Sequence, residues 1–357
     1  MKILIVKVSA LGDVVHALPV LAWLKSADPD VQIDWLVEEG FAALLDGHPL
    51  LRRVHRIATK SWRQKGKLAA MRKAWEMTFT LRREQYDVVL DLQGNSKSGF
   101  FTLLSGARLR YGFAHDGVRE WPNLLATNRQ VALSPAQHHI SDRTLAIARA
   151  AFPGGTDQCL AGPLPVTPGA AAKVADQLAG FDLIKRHFAV LHYGTTWQTK
   201  LWSVENWQQL VCLLADTGDV FPVLTWGSAE EKTVVDEIAQ AAGSGRALVW
   251  PRGTLPELVA LLSRAAVVVG GDTGPVHIAA AVGTPTVSLF RVTDNTRNGP
   301  RGDGHIRLQA PLDCSPCLLK ECERDGECGR SITATSVMQA ISRLLSSTPK
   351  ATVSACP

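Results

Sequence analysis

The sequence predicts an α/β protein built from two doubly wound, parallel-sheet units, and three observations lead there. Short, near-continuous runs of Val, Ile and Leu recur along the chain, as buried parallel strands do when both faces of their sheet are covered. Longer stretches with helical spacing separate those runs, the alternation expected of βαβ architecture. The 357 residues also exceed what one hydrophobic core ordinarily serves, so two domains are expected.

In chain order, a first group of strands is expected at 3–8, 32–37, 88–92 and 109–112. A second group is expected at 188–192, 220–226, 247–250, 267–270 and 286–290. Between the groups, residues 152–169 collect Pro153, Gly154, Gly155, Pro163 and Pro165, the composition of a linker. The boundaries that follow are a first domain at 1–165 and a second at 170–330. Residues 333–346 then place Val337, Ile341, Leu344 and Leu345 near helical spacing, and this helix is expected to pack back toward the first domain. A flexible tail is expected over 347–357.

Charge is unevenly placed. Residues 1–165 hold 21 Lys and Arg against 15 Asp and Glu, whereas the remainder holds 17 against 18. Eleven basic residues between Arg52 and Arg83 face a single acid, Glu76. Such a segment suits an anionic partner, and a solvated helix face is the plainer alternative. No apolar run is long enough to span a bilayer. The apolar N-terminal stretch is broken by Lys7 and Gly12-Asp13, so it reads as a first strand rather than a signal peptide. Seven cysteines without a secretion signal then point to a reducing, cytoplasmic compartment.

Ligands of doubly wound sheets bind beyond the carboxyl ends of the strands, so the residues just after strands carry the chemistry. The first strand runs into Ser9-Ala10-Leu11-Gly12-Asp13, where a carboxylate can accept a proton from an attacking hydroxyl or simply complement a helix dipole. The glycines of the dinucleotide fingerprint are missing there. After the strand at 188–192 come Gly194, Thr195, Thr196 and Lys200, small hydroxyl residues and a cation suited to a diphosphate. After the strand at 267–270 come Asp272, Thr273, Gly274, Pro275 and His277. Proline favours the first position of a helix, and the free amides of that helix end can receive a phosphate.

These segments, together with Glu38-Glu39-Gly40-Phe41, Lys60-Ser61-Trp62-Arg63 and Asp91-Leu92-Gln93-Gly94, keep their order over nearly the whole chain. In that combination the sequence resembles the ADP-heptose glycosyltransferase family, on its lipopolysaccharide heptosyltransferase I branch. The resemblance implies a GT-B fold, two Rossmann-like domains facing a central cleft. It also implies an inverting transfer of heptose from ADP-heptose to the Kdo region of Kdo2-lipid A, without a cofactor or metal.

By the same resemblance Asp13 is the catalytic base and Lys200 assists catalysis. Thr195, Thr196 and Lys200 hold the donor diphosphate, Glu231 holds its ribose, and Asp272, Thr273, Gly274 and His277 form the donor loop. Lys60, Arg63, Lys65 and Gln93 meet the acceptor. The implied protein is a monomer without nucleic-acid partners, associated peripherally with the cytoplasmic face of the inner membrane of a Gram-negative bacterium.

Cys314, Cys317, Cys322 and Cys328 depart from that branch. Their spacing, C-x2-C-x4-C-x5-C, suits thiolate ligands of a structural zinc. A similar cluster belongs to the heptosyltransferase II branch, which stays open as an alternative alongside other ADP-sugar transferases. A dehydrogenase is disfavoured by the missing glycine fingerprint. A nucleotide-binding, membrane-docking protein without catalysis would leave Asp13 without a role.

Overall fold

Ile3, Leu4, Ile5 and Val6 are fully buried because their strand lies inside a sheet that is covered on both faces. In the computed structural model, which describes residues 1–156 and 164–347, the chain divides into two units at Pro165 and Val166. The first unit contains β1 (Lys2–Val6), β2 (Gln32–Glu38), β3 (Arg53–Ile57), β4 (Val88–Asp91), β5 (Leu109–Phe113) and β6 (Arg129–Val131). They form one sheet in the order β3-β2-β1-β4-β5-β6, and every pairing in it is parallel. That is the Rossmann order, and the chain reverses its winding direction between β1 and β4.

The second unit repeats the plan. Its strands are β7 (Phe188–His192), β8 (Phe221–Thr225), β9 (Leu248–Val249), β10 (Val267–Gly271), β11 (Thr286–Phe290) and β12 (His305–Gln309). The order is β12-β11-β10-β7-β8-β9, again wholly parallel. Read from the other edge this is the same Rossmann order, with its switch point between β7 and β10. The two doubly wound units are the α/β class that the sequence predicts.

Three strands were not foreseen, and all three lie at sheet edges. In β3 (RVHRI), β6 (RQV) and β12 (HIRLQ), polar residues interrupt the apolar ones. An edge strand needs fewer apolar residues and is protected from further pairing by charge, so it leaves no continuous apolar run to find.

Helices cover both sheets by burying one stripe each. In the helix Val204–Thr217, Trp207, Leu210, Val211 and Leu214 are buried. Ser203 caps it by accepting from the amide of Asn206, and Gly218 ends it in the left-handed conformation that glycine adopts without strain. The C-terminal helix Ala334–Ser347 packs on this helix and on β10, β11 and β12, placing Val337, Ile341 and Leu344 in the core of the second unit. Its apolar stripe is thus buried within the second unit. Removing one such side chain, as in Ile341→Ala, should cost about 2–5 kcal/mol. The tail expected at 347–357 falls almost wholly outside the described residues, as does part of the linker. Among the described residues no helix is long and apolar enough to cross a membrane.

Candidate active site

In the first unit the carboxyl ends of β1 and β4 meet at the switch point, and one side chain ties them together. The carboxamide oxygen of Gln93, just past β4, accepts from the amides of Val8 and Ser9, each at 3.1 Å. Gln93 is buried, and its Nε2 has no hydrogen-bond partner among the described residues. Its oxygen is thus committed to holding the loop that leads to Asp13, a positioning role beyond the acceptor contact that the resemblance implies. Below it, the buried Asp91 carboxylate accepts from the amides of Gln93 and Gly94 and from Thr102 and Asn123. Burial pushes its pKa up, and those donors oppose the push.

Asp13 lies in the first turn of the helix Leu11–Ala17, and Oδ2 accepts from the Ala10 amide at 3.3 Å. That is the capping role of the plainer reading; among the described residues no hydrogen bond reaches Oδ1, and the side chain is 27% exposed. Two cations stand 3.9 Å from Oδ2, the Nζ of Lys7 and a guanidinium nitrogen of Arg119. Lys7 is buried and donates to the carbonyl of Leu92 at 3.0 Å. Neither cation was expected from the sequence, because each is a single charged residue whose partner lies far along the chain.

The basic segment divides in the structure. Arg52 and Arg53 pair with Glu84, Arg52 also pairs with the buried Asp34, and Arg56 pairs with Asp46. These ion pairs hold the ends of β3 to neighbouring parts of the first unit, which gives this part of the segment a structural role. Arg72 and Lys73 share Glu76 along their helix, and Arg82 donates to Leu104. Lys60, Arg63, Lys65 and Lys67 are exposed and have no ion pair among the described residues. Lys60 and Arg63 lie on the helix Thr59–Gln64 just after β3, with Lys65 as its C-cap. Glu38, at the end of β2, anchors this helix by accepting from the amide and hydroxyl of Thr59 and from Lys97.

In the second unit the ends of β7, β8 and β10 lie side by side. Lys200, after β7, places Nζ 2.8 Å from Oδ2 of Asp272, after β10, and 5.0 Å from the centre of the Trp197 ring. His277 Nε2 lies 3.1 Å from the other oxygen, and the Asn298 amide nitrogen adds a bond at 3.2 Å. The Asp272 side chain is largely buried, and this set of partners outweighs burial to hold its carboxyl well below the usual range. Thr273 stands at the N-cap position of the helix Gly274–Ala281 without a side-chain capping bond, and its buried hydroxyl has no hydrogen-bond partner among the described residues. With Pro275 lacking an N–H, Gly274 and Val276 contribute the amides left over at that helix end. Gly270 lets the strand pass close: a Cβ there would lie 2.8 Å from Val276 and 3.2 Å from the His192 carbonyl.

Glu231 opens the helix Ala229–Ala241 after β8 and accepts from the amide of Gly227 at 2.6 Å. Its carboxylate also lies against Gly194, where an added Cβ would stand 2.6 Å from the carboxyl carbon. Thr195 and Thr196 follow that glycine, so the structure gathers Thr195, Thr196, Lys200, Glu231, Asp272, Thr273, Gly274 and His277 at one sheet edge. Hydroxyls, helix amides and a cation there suit an anion, and a carboxylate beside them suits a hydroxyl-bearing group such as a sugar.

The cysteines behave differently. Cys314, Cys317, Cys322 and Cys328 line one small cavity together with Arg291 and Arg324. All four are free thiols. Among the described residues no set of three or more His, Cys, Asp or Glu is placed to hold a metal ion.

Residues 74–326 match the profile of Glycosyltransferase family 9 (heptosyltransferase). The chain belongs to that family. It is 36% identical to lipopolysaccharide heptosyltransferase 1 of Pseudomonas aeruginosa over 323 residues, covering 90% of this chain and 87% of that protein. To the corresponding protein of Escherichia coli K12 it is 32% identical, covering 88% and 95%. Among solved structures, E. coli heptosyltransferase WaaC with ADP-2-deoxy-2-fluoro heptose superposes with a TM-score of 0.75 at 30% identity, over 96% of this chain and 99% of that one. E. coli ADP-heptose lps heptosyltransferase II superposes with a TM-score of 0.76 at 22% identity and shares the fold. This family 9 glycosyltransferase thus has the GT-B class of fold and the enzyme class that its motifs imply.

Proposed function

We propose that this glycosyltransferase moves L-glycero-D-manno-heptose from ADP-heptose to the Kdo region of Kdo2-lipid A, with inversion at the transferred carbon. The observation that carries the reading is the edge of the second sheet. Lys200 is fixed on Asp272 beside the unpartnered hydroxyl of Thr273 and the free amides of Gly274 and Val276. These groups bind the donor diphosphate and stabilise the charge that develops on departing ADP. Glu231 holds the ribose hydroxyls, and Thr195 and Thr196 add hydrogen bonds to the phosphates. His277 keeps Asp272 in place. A relative at 30% identity has been solved with an ADP-heptose analogue, which supports the same donor here.

In the first unit Asp13 takes the proton of the attacking hydroxyl through Oδ1, as a general base does. Lys60, Arg63 and Lys65 pair with the anionic groups of the acceptor, and Gln93 holds the Asp13 loop. The positive charge that the leaving group needs comes from protein groups, so transfer needs no metal and should survive chelation by EDTA. An acceptor of this kind places the enzyme at the cytoplasmic face of the inner membrane, bound peripherally and as a monomer.

The test is ADP release from ADP-heptose with and without deacylated Kdo2-lipid A, followed by NMR of the product anomer. Acceptor-dependent release with inverted configuration is expected. Release that ignores the acceptor would overturn the assignment of acceptor and base together.

A further inference from the structure

The helix Lys67–Arg83 carries two apolar stripes where packing needs one. Ala74, Met77 and Leu81 face the core of the first unit. Leu68, Met71, Trp75 and Phe79, spaced by three or four residues, form a second stripe roughly a third of a turn away at about 100° per residue. That stripe is open to solvent, with Leu68 83% and Phe79 58% exposed. The Trp75 ring lies 6.2 Å from that of Phe100 on the neighbouring helix Ser96–Leu104, which also exposes Leu103. Between these helices runs a groove of about 490 Å³ lined by Trp62, Met71, Trp75 and Phe100, with Arg63 and Lys97 among its walls. Its lining is almost wholly apolar.

A continuous apolar surface of this kind marks an interaction site. The charge around it selects the partner. Lys60, Arg63, Lys65 and Lys67 precede the stripe along the chain, and Arg72, Lys73, Arg82 and Arg83 interleave with it, against Glu76 alone. A second copy of the chain meeting this face by two-fold symmetry would set the same cations against themselves. An anionic bilayer complements both features, since its headgroups pair with Lys and Arg while its acyl region receives aromatic and aliphatic side chains.

We infer that the outer face of the helix Lys67–Arg83, with Phe100 and Leu103, is a docking surface for an anionic lipid bilayer, and that the groove beside Trp75 takes acyl chain. The inference deepens the proposed function by naming the surface that meets the membrane, and it rests on that reading only for its purpose. The binding itself requires neither donor nor acceptor.

The experiment is co-sedimentation of the full chain with phosphatidylcholine vesicles, with or without roughly one lipid in four as phosphatidylglycerol. Comparison is with the variant Leu68→Gln/Phe79→Gln, whose side chains are exposed and outside the catalytic machinery. The native chain should bind the mixed vesicles, and the variant should bind at least about tenfold more weakly while melting at the same temperature. Its turnover on deacylated, water-soluble acceptor should be unchanged, whereas turnover on acceptor embedded in vesicles should fall. Equal vesicle binding by both proteins would overturn the docking surface, as would loss of a dimer in the variant at equal vesicle affinity. Failure of ADP release with vesicle binding intact would instead overturn the proposed reaction and leave the docking surface standing.

Discussion

Lys200 and Asp272 join the two loops at the switch point of the second sheet, with Nζ 2.8 Å from Oδ2. Both are largely buried, so each compensates a charge that would otherwise be costly in that place. Lys200→Ala should weaken ADP binding by about 1–3 kcal/mol, measured by calorimetry. Asp272→Ala should be worse for the fold, because it strands a buried ammonium; a loss of about 3–5 kcal/mol in denaturant unfolding is expected. Unchanged ADP affinity in the Lys200 variant would remove that residue from the donor site.

Asp13 accounts for the proton in the proposed mechanism. Asp13→Asn should leave ADP affinity nearly as it is and lower turnover by roughly a hundredfold or more. Near-native turnover would transfer the base role to another group.

Gly194 and Glu231 are coupled by space alone. Gly194→Ala should cost about 1–3 kcal/mol by overpacking against the carboxylate and should also weaken donor binding. Glu231→Ala opens that space, so Gly194→Ala should cost almost nothing further in the Glu231→Ala background. Additive losses in the double variant would show that the contact does not constrain the glycine.

Gln93→Leu keeps the volume near that of glutamine and removes the acceptor for Val8 and Ser9. The buried Val8 amide left without a partner should cost about 1–3 kcal/mol, and the partly exposed Ser9 amide less. Turnover should fall with little change in ADP affinity, because the loop that shifts carries Asp13. A change confined to the Michaelis constant of the acceptor would return Gln93 to direct acceptor contact.

His192 is buried beside Thr225, and burial lowers its pKa from 6.5 to about 4. The unfolded chain therefore binds a proton that the native state refuses as pH falls from 6.5 toward 4, and stability declines over that window. The contribution present at neutral pH and lost by pH 4 is on the order of 3 kcal/mol. His192→Asn should flatten this part of the stability profile in denaturant titrations at neutral and mildly acid pH. A profile as steep as the native one would place the acid sensitivity elsewhere. Asp272 adds a separate loss at still lower pH, because its carboxyl is held below the ordinary value of 3.8.

The central strands were legible because both of their faces are covered, so β1, β7 and β10 read as near-continuous apolar runs. The edge strands β3, β6 and β12 were not, since Arg, His and Gln interrupt their pattern. At the candidate site, Asp13, Lys200 and Asp272 were legible from their place after strands. Lys7, Asn123 and Asn298 were missed because each is a single polar residue with no local signature. Lys7, for example, finds its carbonyl partner 85 residues away. Within the eleven basic residues from Arg52 to Arg83, composition did not separate the guanidinium that closes on Asp34 from the cations that face solvent, because it counts both equally.

Because every strand of both sheets runs parallel to its neighbours, all of the loops assigned to chemistry leave one edge of their sheet and the returning connections occupy the other. The turn over residues 243–246, before β9, belongs to that second edge; it is exposed, and Gly245 has nothing within 4 Å of where a side chain would begin. A fluorophore or an affinity tag inserted there would report on the molecule, or tether it to a support, from the side of the second unit opposite the proposed donor loops.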